Sequence, residues 1–301
     1  MDRLEAMRVL LTAIESGSLS AAGRKLKMPL PTVSRKVSEL EAHIGSRLLH
    51  RSTRRLTLTD AGQAYVDACK QILNDVAEAE RMAAGEYSAP RGDLVITAPI
   101  VFGRLYVVPV TTEFLKAYPE VDVRLVLGDR IINLLDDHVD LAVRIGELPD
   151  STLVATGIGS IRQVVCGSRA YFAARGRPKR PDQLCKHDCI SFDGLTSAHA
   201  WKFPAGKTDE FVAIHSRLVV NTAEAAVEAA ISGAGITRVL SYQIASAQAA
   251  GELDVVLSKF EPKPWPVSLA YTGQGRLPLK LRAFLDFSVP RLRARLSDII
   301  D

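Results

Sequence analysis

Two prolines within three residues, Pro29 and Pro31, fix where the stretch 18–44 must turn. Before them, Ser18 or Ser20 suits the cap of a short helix carrying Ala21, Ala22 and Leu26, which Pro29 cannot continue. After them, Val33, Val37, Leu40 and Ile44 recur at helical spacing, and Pro31 suits the first helical position, where its missing N–H costs nothing. The spacing therefore predicts two short helices joined by a tight turn, the second burying that stripe. At 100° per residue, Pro31, Arg35, Ser38 and Ala42 point away from the stripe, with Ser34 and Glu39 on its flanks. An outer face that is small near the helix start and basic further on has the shape needed to enter a major groove. Arg35 is then placed for a guanine edge or a phosphate.

The next residues extend the same theme. Leu48, Leu49, Leu56 and Leu58 alternate around a basic tip, Arg51, Thr53, Arg54 and Arg55, as in a two-stranded wing. Residues 1–62 hold 11 Lys/Arg against 6 Asp/Glu, a balance of +5. The whole chain is +4, so residues 63–301 sum to −1. Positive charge gathered on the first fifth of a chain is the footprint of phosphate binding.

On these residues the N-terminal region resembles the winged helix-turn-helix of LysR-type transcriptional regulators. The matching positions are Pro31, Val33, Ser34, Arg35, Leu40, Glu41, Gly45, Leu48, Arg51, Leu58, Thr59, Ala61 and Gly62. The likeness continues through Asp140-Leu-Ala-Val-Arg144-Ile-Gly146 and His187-Asp-Cys189-Ile. Pro29-Leu30 stands where the family usually has Ser-Gln, and Lys27 where it often has Gly, so Leu30 either touches a thymine methyl or contributes nothing to base reading, which leaves the operator sequence open. The resemblance implies Leu30, Pro31, Thr32, Ser34, Arg35, Ser38, Arg51, Thr53, Arg54 and Arg55 as DNA-contacting residues. It also implies a homo-oligomer, a dimer or tetramer, working in the cytoplasm.

From Thr59 to about Tyr87 there is no proline, and Ala61, Tyr65, Ala68 or Cys69, Ile72, Val76, Ala79 and Ala83 recur at three and four. Thr59 suits the cap and Asp60 the first turn. Such a helix is roughly 40 Å long, and its narrow stripe suits pairing with a second copy. Gly85, Ser88, Pro90 and Gly92 then break it. The expected organisation is a winged helix-turn-helix domain over 1–58, a linker and dimerisation helix over 59–88, and an α/β domain over 89–301.

In that last region, β-rich runs at 94–98, 121–127, 141–145, 163–167, 190–192, 218–221, 236–239 and 267–272 alternate with helical patterns, which predicts parallel sheets covered by helices. The resemblance implies a two-lobed domain like a periplasmic binding protein, lobe I being 93–162 with 268–301 and lobe II 163–267. A ligand in such sheets sits beyond the carboxyl ends of strands, near helix N-termini. That rule selects Thr97, Ala98, Pro99, Ile100, Gly128, Asp129, Arg144 and Ile145 in lobe I, and Ser191, Phe192, Asp193, Asn221 and Thr222 in lobe II. Asn221-Thr-Ala-Glu224 has a capping-box-like spacing. Two helix N-termini and Arg144 favour a small organic acid as effector.

Other classes fit poorly. No segment approaches the ~20 apolar residues of a membrane span, and Val9–Ile14, preceded by Glu5, is no secretory signal. Gly233-Ala-Gly235 lacks the third glycine of a dinucleotide site, and neither a phosphate loop nor a Gly-x-Ser-x-Gly elbow occurs. No enzyme and no cofactor is expected. Cys69, Cys166, Cys185 and Cys189 are scattered, and Cys185, His187 and Cys189 lack a fourth zinc ligand. A loop entering a strand is the expectation there, with a redox pair of Cys185 and Cys189 left open. The rival from another class is a solute-binding protein with no DNA role, against which the basic head weighs.

Overall fold

The computed structural model describes residues 1–51, 56–83, 89–129, 134, 139–148, 153–192, 199–206, 208–273 and 277–297. It divides into two compact units, Met1–Ala89 and Pro90–Asp301.

The first unit is three short helices, a wing and a long helix. Asp2 caps α1 (Arg3–Glu15), accepting from the Glu5 N–H at 3.2 Å. Ser18 caps α2 (Leu19–Leu26) through the Ala21 N–H at 3.1 Å. Lys27 then turns the chain in the left-handed region, at φ 54°, and the Met28 N–H returns to the Gly23 carbonyl at 2.8 Å. A Cβ on Gly23 would stand 2.8 Å from the Met28 carbonyl oxygen, so this turn requires glycine there. Helix α3 (Leu30–Ile44) starts one residue before the expected Pro31, with Pro29 in the cap position. Val33, Val37 and Leu40 are buried against Ala6, Val9, Leu10 and Ala13 of α1. Ile44, expected in that stripe, is exposed: it is the last helical residue, beyond the core and before the left-handed Gly45. Strands β1 (Leu49–Arg51) and β2 (Leu56–Leu58) pair antiparallel, Leu49 opposite Leu58.

Helix α4 (Asp60–Ala83) is capped by Thr59, whose Oγ1 accepts from the Gly62 N–H at 2.9 Å and donates to the Arg47 carbonyl at 2.7 Å. Among its described side chains, the buried residues are Gly62, Val66 and Cys69, with Tyr65 packed beside them. Ala61, Ile72 and Ala79, expected in one continuous stripe, are exposed. Gly62 sets this rotation, since a Cβ there would lie 2.0 Å from the Leu48 carbonyl oxygen. The start of α4 thus belongs to the first unit's core, and Ile72 lies outside it.

The second unit holds two five-stranded sheets, ordered β4-β3-β5-β14-β6 and β11-β8-β12-β7-β13. The first begins with β3 (Gly92–Ala98), followed by a helical run of α5 (Ile100–Phe102), a π-helical turn (Gly103–Val107) and α6 (Val108–Ala117). Strands β4 (Val121–Leu127), β5 (Leu141–Ile145) and β6 (Leu153–Ile161) complete its first pass. One residue, Arg162, carries the chain into the second sheet. There follow β7 (Gln163–Ser168), α7 (Arg169–Arg175), β8 (Asp188–Phe192), a hairpin of β9 (Ala200–Ala205) and β10 (Thr208–Ala213), and β11 (His215–Val220). Then come α8 (Ala223–Ile231), β12 (Ile236–Leu240), α9 (Ser241–Ala249) and β13 (Leu253–Val256). The chain returns through 257–264 to β14 (Trp265–Thr272), ahead of the expected crossing at 268, and ends on α10 (Leu279–Ser297).

The sheets are mixed, where parallel ones were expected. Strand β14 runs antiparallel to β5 and β6, and β7 antiparallel to β12 and β13. The cause is the pair of crossings: a strand that enters a lobe directly from the other arrives from the opposite end. Strands β6 and β13 and the β9–β10 hairpin were not foreseen, because each is short, exposed or glycine-interrupted and shows no apolar run.

One buried ion pair ties the last helix to the first strand. Lys280 Nζ lies 3.8 Å from Asp140 Oδ1, with the two side chains 3% and 8% exposed, and also donates to the Asp93 carbonyl. Asp140 Oδ2 accepts from the Val95 N–H at 2.7 Å. Lys280→Met leaves that carboxylate buried without its cation, and a loss of about 3–5 kcal/mol is expected. Urea unfolding of Lys280→Met, Asp140→Asn and the double variant checks this: coupling through the pair makes the double loss smaller than the sum of the two single losses.

Candidate nucleic-acid interface and interlobe cleft

Helix α3 presents Leu30, Pro31 and Arg35 to solvent, with Thr32, Ser34 and Ser38 half-buried around them. Leu30 is 46% exposed at the helix start, an unusual place for leucine unless something covers it. Arg35 lies 3.8 Å from Glu39 one turn on, a solvent-exposed pair weak enough to be exchanged for a phosphate or base edge. The helix is braced from behind. Lys36 Nζ meets Glu5 Oε2 of α1 at 2.5 Å, and Lys25 of α2 meets Glu15 of α1 at 3.0 Å.

Glu41 fixes the wing to α3. Its Oε1 accepts from the backbone N–H groups of Leu48 and Leu49, at 2.9 and 3.2 Å. The family-like Leu-Glu pair is therefore a structural clamp. Thr53, Arg54 and Arg55, expected at the wing tip, lie outside the described residues, as does the side chain of Arg51.

In the second unit, the expected lobe I residues gather at the carboxyl ends of β3 and β4. Thr97 and Ala98 are buried, and Thr97 Oγ1 donates to the Val126 carbonyl at 3.0 Å, so its hydroxyl serves the sheet. The Gly128 N–H donates to the Ala98 carbonyl at 3.0 Å. The Ile100 N–H after Pro99, expected to be free, donates to Asp129 Oδ1 at 3.1 Å. A carboxylate of the chain itself already occupies that position. At the end of β5, Arg144 and Ile145 are half-buried opposite Ser268 and Val267 of β14, and burial lowers the pKa of Arg144.

In lobe II, Phe192 belongs to the hydrophobic core and is 4% exposed, while Ser191 hydrogen-bonds Ser216. Asp193 lies outside the described residues. The cap of α8 is Thr222, whose Oγ1 accepts from the Ala225 N–H at 3.3 Å, and Asn221 is exposed beside it. The cap is thus Thr222 and not Asn221, and with Ala225 three residues on the capping box foreseen at Asn221 does not form. Its Glu224 is engaged elsewhere: it accepts from Arg104 of the π-helical turn at 2.8 Å, joining the two lobes.

Aromatic rings add to that junction. Phe102 and Tyr106 of lobe I stand 5.6 and 6.0 Å, centroid to centroid, from Tyr242 of α9. Burial pushes the Tyr242 hydroxyl well above the usual tyrosine range. Phe102, Arg104, Tyr106, Glu224 and Tyr242 were not foreseen. Arg104 and Glu224 are 120 positions apart, and nothing local marks either as a partner.

The cysteine segment is built into the fold. Cys185 Sγ donates to the Asp182 carbonyl at 3.1 Å, and Tyr171 Oη stands 3.4 Å from His187 Nδ1 and accepts from the Asp188 N–H at 2.9 Å. Cys189 is buried, which pushes its thiol up to about 12, so the thiolate that metals and oxidants require is disfavoured. Among the described residues no group of three or more His, Cys, Asp or Glu is placed to hold a metal. No helix among them is long and apolar enough to cross a membrane.

Comparison with known proteins follows this division. Residues 4–63 match the model of the bacterial regulatory helix-turn-helix proteins of the lysR family, and 88–293 that of the LysR substrate binding domain. The chain is 34% identical over 288 residues to an HTH-type transcriptional regulator of Xanthomonas campestris pv. campestris (strain 8004), covering 94% of this chain and 84% of that one. It is 31% identical to the HTH-type transcriptional activator AaeR of Escherichia coli (strain K12), over 95% of this chain and 93% of AaeR. Among solved structures it is similar to CrgA of Neisseria meningitidis, a LysR-type transcriptional regulator, with TM-score 0.61, 31% identity and coverage of 96% and 98%. The full-length virulence activator AphB of Vibrio cholerae shares the fold, with TM-score 0.61, 24% identity and coverage of 95% and 98%.

Glu41→Ala removes the acceptor of two part-buried N–H groups, and a loss of about 1–3 kcal/mol in stability is expected. Because Glu41 Oε1 holds the backbone of Leu48 and Leu49, operator affinity should fall alike for matched and mismatched DNA. Competition gel shifts at fixed salt test it, and a change confined to one base position would place Glu41 at the DNA.

Proposed function

Because the chain belongs to the LysR family of bacterial transcriptional regulators, we propose that it binds operator DNA as a dimer through α3 and the wing, under control of a small organic acid held between its lobes. The observation that carries this reading is the braced, outward face of α3, with exposed Leu30 and Arg35 above a basic first unit. Leu30 meets a thymine methyl, Pro31, Thr32, Ser34 and Ser38 allow close approach, and Arg35 reads a base edge. Arg51, Thr53, Arg54 and Arg55 hold phosphates. The protein acts in the cytoplasm and carries no catalytic step. A solute-binding protein without a DNA role would have no use for a helix so presented.

Arg35→Ala should cost about 1–3 kcal/mol of operator affinity and relax sequence preference, whereas Arg54→Ala and Arg55→Ala should mainly flatten the salt dependence. Gel shifts with the protein's own upstream DNA decide it, and unchanged affinity in Arg35→Ala would overturn the assignment.

Pairing of two α4 helices along the exposed face at Ile72 is the proposed dimer contact, supported by an apolar residue 40% exposed on a 24-residue helix. Ile72→Asp would bury an unpaired carboxylate there and split the dimer. Light scattering should then report half the mass, and an undiminished mass would move the contact elsewhere.

For the effector we take the cleft bounded by Thr97, Ala98, Pro99, Ile100, Gly128, Asp129, Arg144 and Ile145 on one lobe and Phe192, Asp193, Asn221 and Thr222 on the other. Arg144 supplies charge and the start of α8 supplies backbone N–H groups for an acid. The carboxylates of Asp129 and Glu224 favour an acid of single charge over a polyanion. An acid at 100 times its dissociation constant should add about 2.7 kcal/mol of stability. Thermal shifts of the full-length chain with simple mono- and dicarboxylates, repeated in Arg144→Ala and Thr222→Val, test this, and stabilisation by neutral or cationic compounds alone would sink it.

A further inference from the structure

A second concavity lies where lobe II meets the chain crossings to lobe I. A cavity of about 350 Å³ is lined by Gln163, Trp201, Phe211, Arg238, Pro262 and Trp265, within the range of small-molecule sites. It opens on the β9–β10 face of the sheet. Arg238 points to that face, where its Nη1 donates to the Lys202 carbonyl at 2.6 Å and its guanidinium lies 4.5 Å from the Phe203 ring centroid. The next residue, Val239, turns to the other face and joins the core with Ala226 and Ala230 of α8. None of the described residues proposed for the cleft lines this cavity.

Its polar groups are incomplete without an occupant. Trp201 Nε1 and Arg238 Nε are buried donors with no acceptor, in residues 1% and 4% exposed. A buried donor left unpaired opposes folding, and a bound acceptor would relieve it. No carboxylate among the described residues pairs with Arg238, and the cavity's one acid, Asp209, is held by Lys202 at 2.6 Å. Burial lowers the Arg238 pKa to about 10, which still leaves the group charged at neutral pH. Its apolar walls are the rings of Trp265 and Phe211 with Pro204 and Pro262, and Gln163 adds a polar group.

We propose that this cavity is a second ligand site, for a monocarboxylate carrying a flat apolar ring, whose carboxylate accepts from Trp201 Nε1 and Arg238 Nε while the ring lies against Trp265. Gln163 follows the first crossing between the lobes, and Pro262 and Trp265 lie on and after the second, so an occupant touches both connections.

The chain's only two tryptophans, Trp201 and Trp265, both line the cavity, so intrinsic tryptophan fluorescence of the full-length protein reports on it directly. Titration with benzoate should give a saturable change, cyclohexanecarboxylate, whose ring is puckered, should bind more weakly, and benzamide, which lacks the charge, should bind at least about tenfold more weakly. Arg238→Gln should weaken the acids by about tenfold or more. Trp201→Phe keeps the ring and removes only the N–H, so it tests the site even if Arg238→Gln fails to fold. Thr222→Val, in the cleft, should leave the titration unchanged, which separates this site from the one proposed for the effector. No saturable change with either acid, an equal response to benzamide, or titrations unaltered in the folded pocket variants would overturn the proposal. So would a response lost in Thr222→Val and kept in Trp201→Phe.

Discussion

The buried contact between Lys280 and Asp140 is the constraint on which the second unit depends. Strand β3 is central to its sheet only if β5 lies beside it and α10 covers the layer, and this contact touches all three. Asp140 accepts from Val95 in β3 and immediately precedes β5, while Lys280 comes from the first turn of α10 and reaches the Asp93 carbonyl. A lysine 3% exposed is tolerable only with such partners, since an isolated ammonium in that setting would carry several kcal/mol of desolvation. Aromatic packing of Phe114 on Phe284 and Phe287, at 5.0 and 5.6 Å, then holds α10 against α6.

A comparable economy governs the first unit. Glycines at two positions let backbone approach backbone: Gly23 where α2 turns back, and Gly62 where α4 starts against Leu48. Glu5 and Glu15 on α1 hold Lys36 and Lys25 from the rear. Side chains used for bracing lie behind α3, which leaves its front with little that is not short or basic. That separation lets a small three-helix core present a helix rigidly without a large buried area.

Much of this was legible because it is local. The two-helix turn is written in Pro29, Pro31 and the spacing of Val33, Val37 and Leu40, and the caps at Ser18 and Thr59 in residue type alone. Lys27 at φ 54° explains why glycine is frequent at that place in the family: the chain needs the left-handed region, and lysine adopts it at a cost of about 1–2 kcal/mol. What was misplaced depends on distant partners. The buried face of α4 is turned by Gly62 meeting Leu48, which no periodicity within α4 reveals. The Ile100 N–H is taken by an aspartate 29 positions on, and the cap of α8 sits at Thr222 because β11 runs to Val220. The cleft was found as a region, from the ends of strands, and its cross-lobe contacts were not. The hairpin cavity left no trace, since Trp201 and Arg238 meet only where the separate β9–β10 hairpin packs against the five-stranded sheet.

The two lobes also differ in how they are strung along the chain. Lobe II is continuous, and one of its cores, from Val165 to Leu257, uses no residue outside it. The sheet of lobe I needs β14, and its cover needs α10 as far as Leu296. On a ribosome working from the N-terminus, domains fold as their residues emerge. The DNA-binding unit and then lobe II are able to form while lobe I still waits with an open sheet edge. A chain interrupted in its last forty or so residues therefore keeps its grip on DNA and loses the cleft, which makes every such fragment an unregulated competitor for the operator.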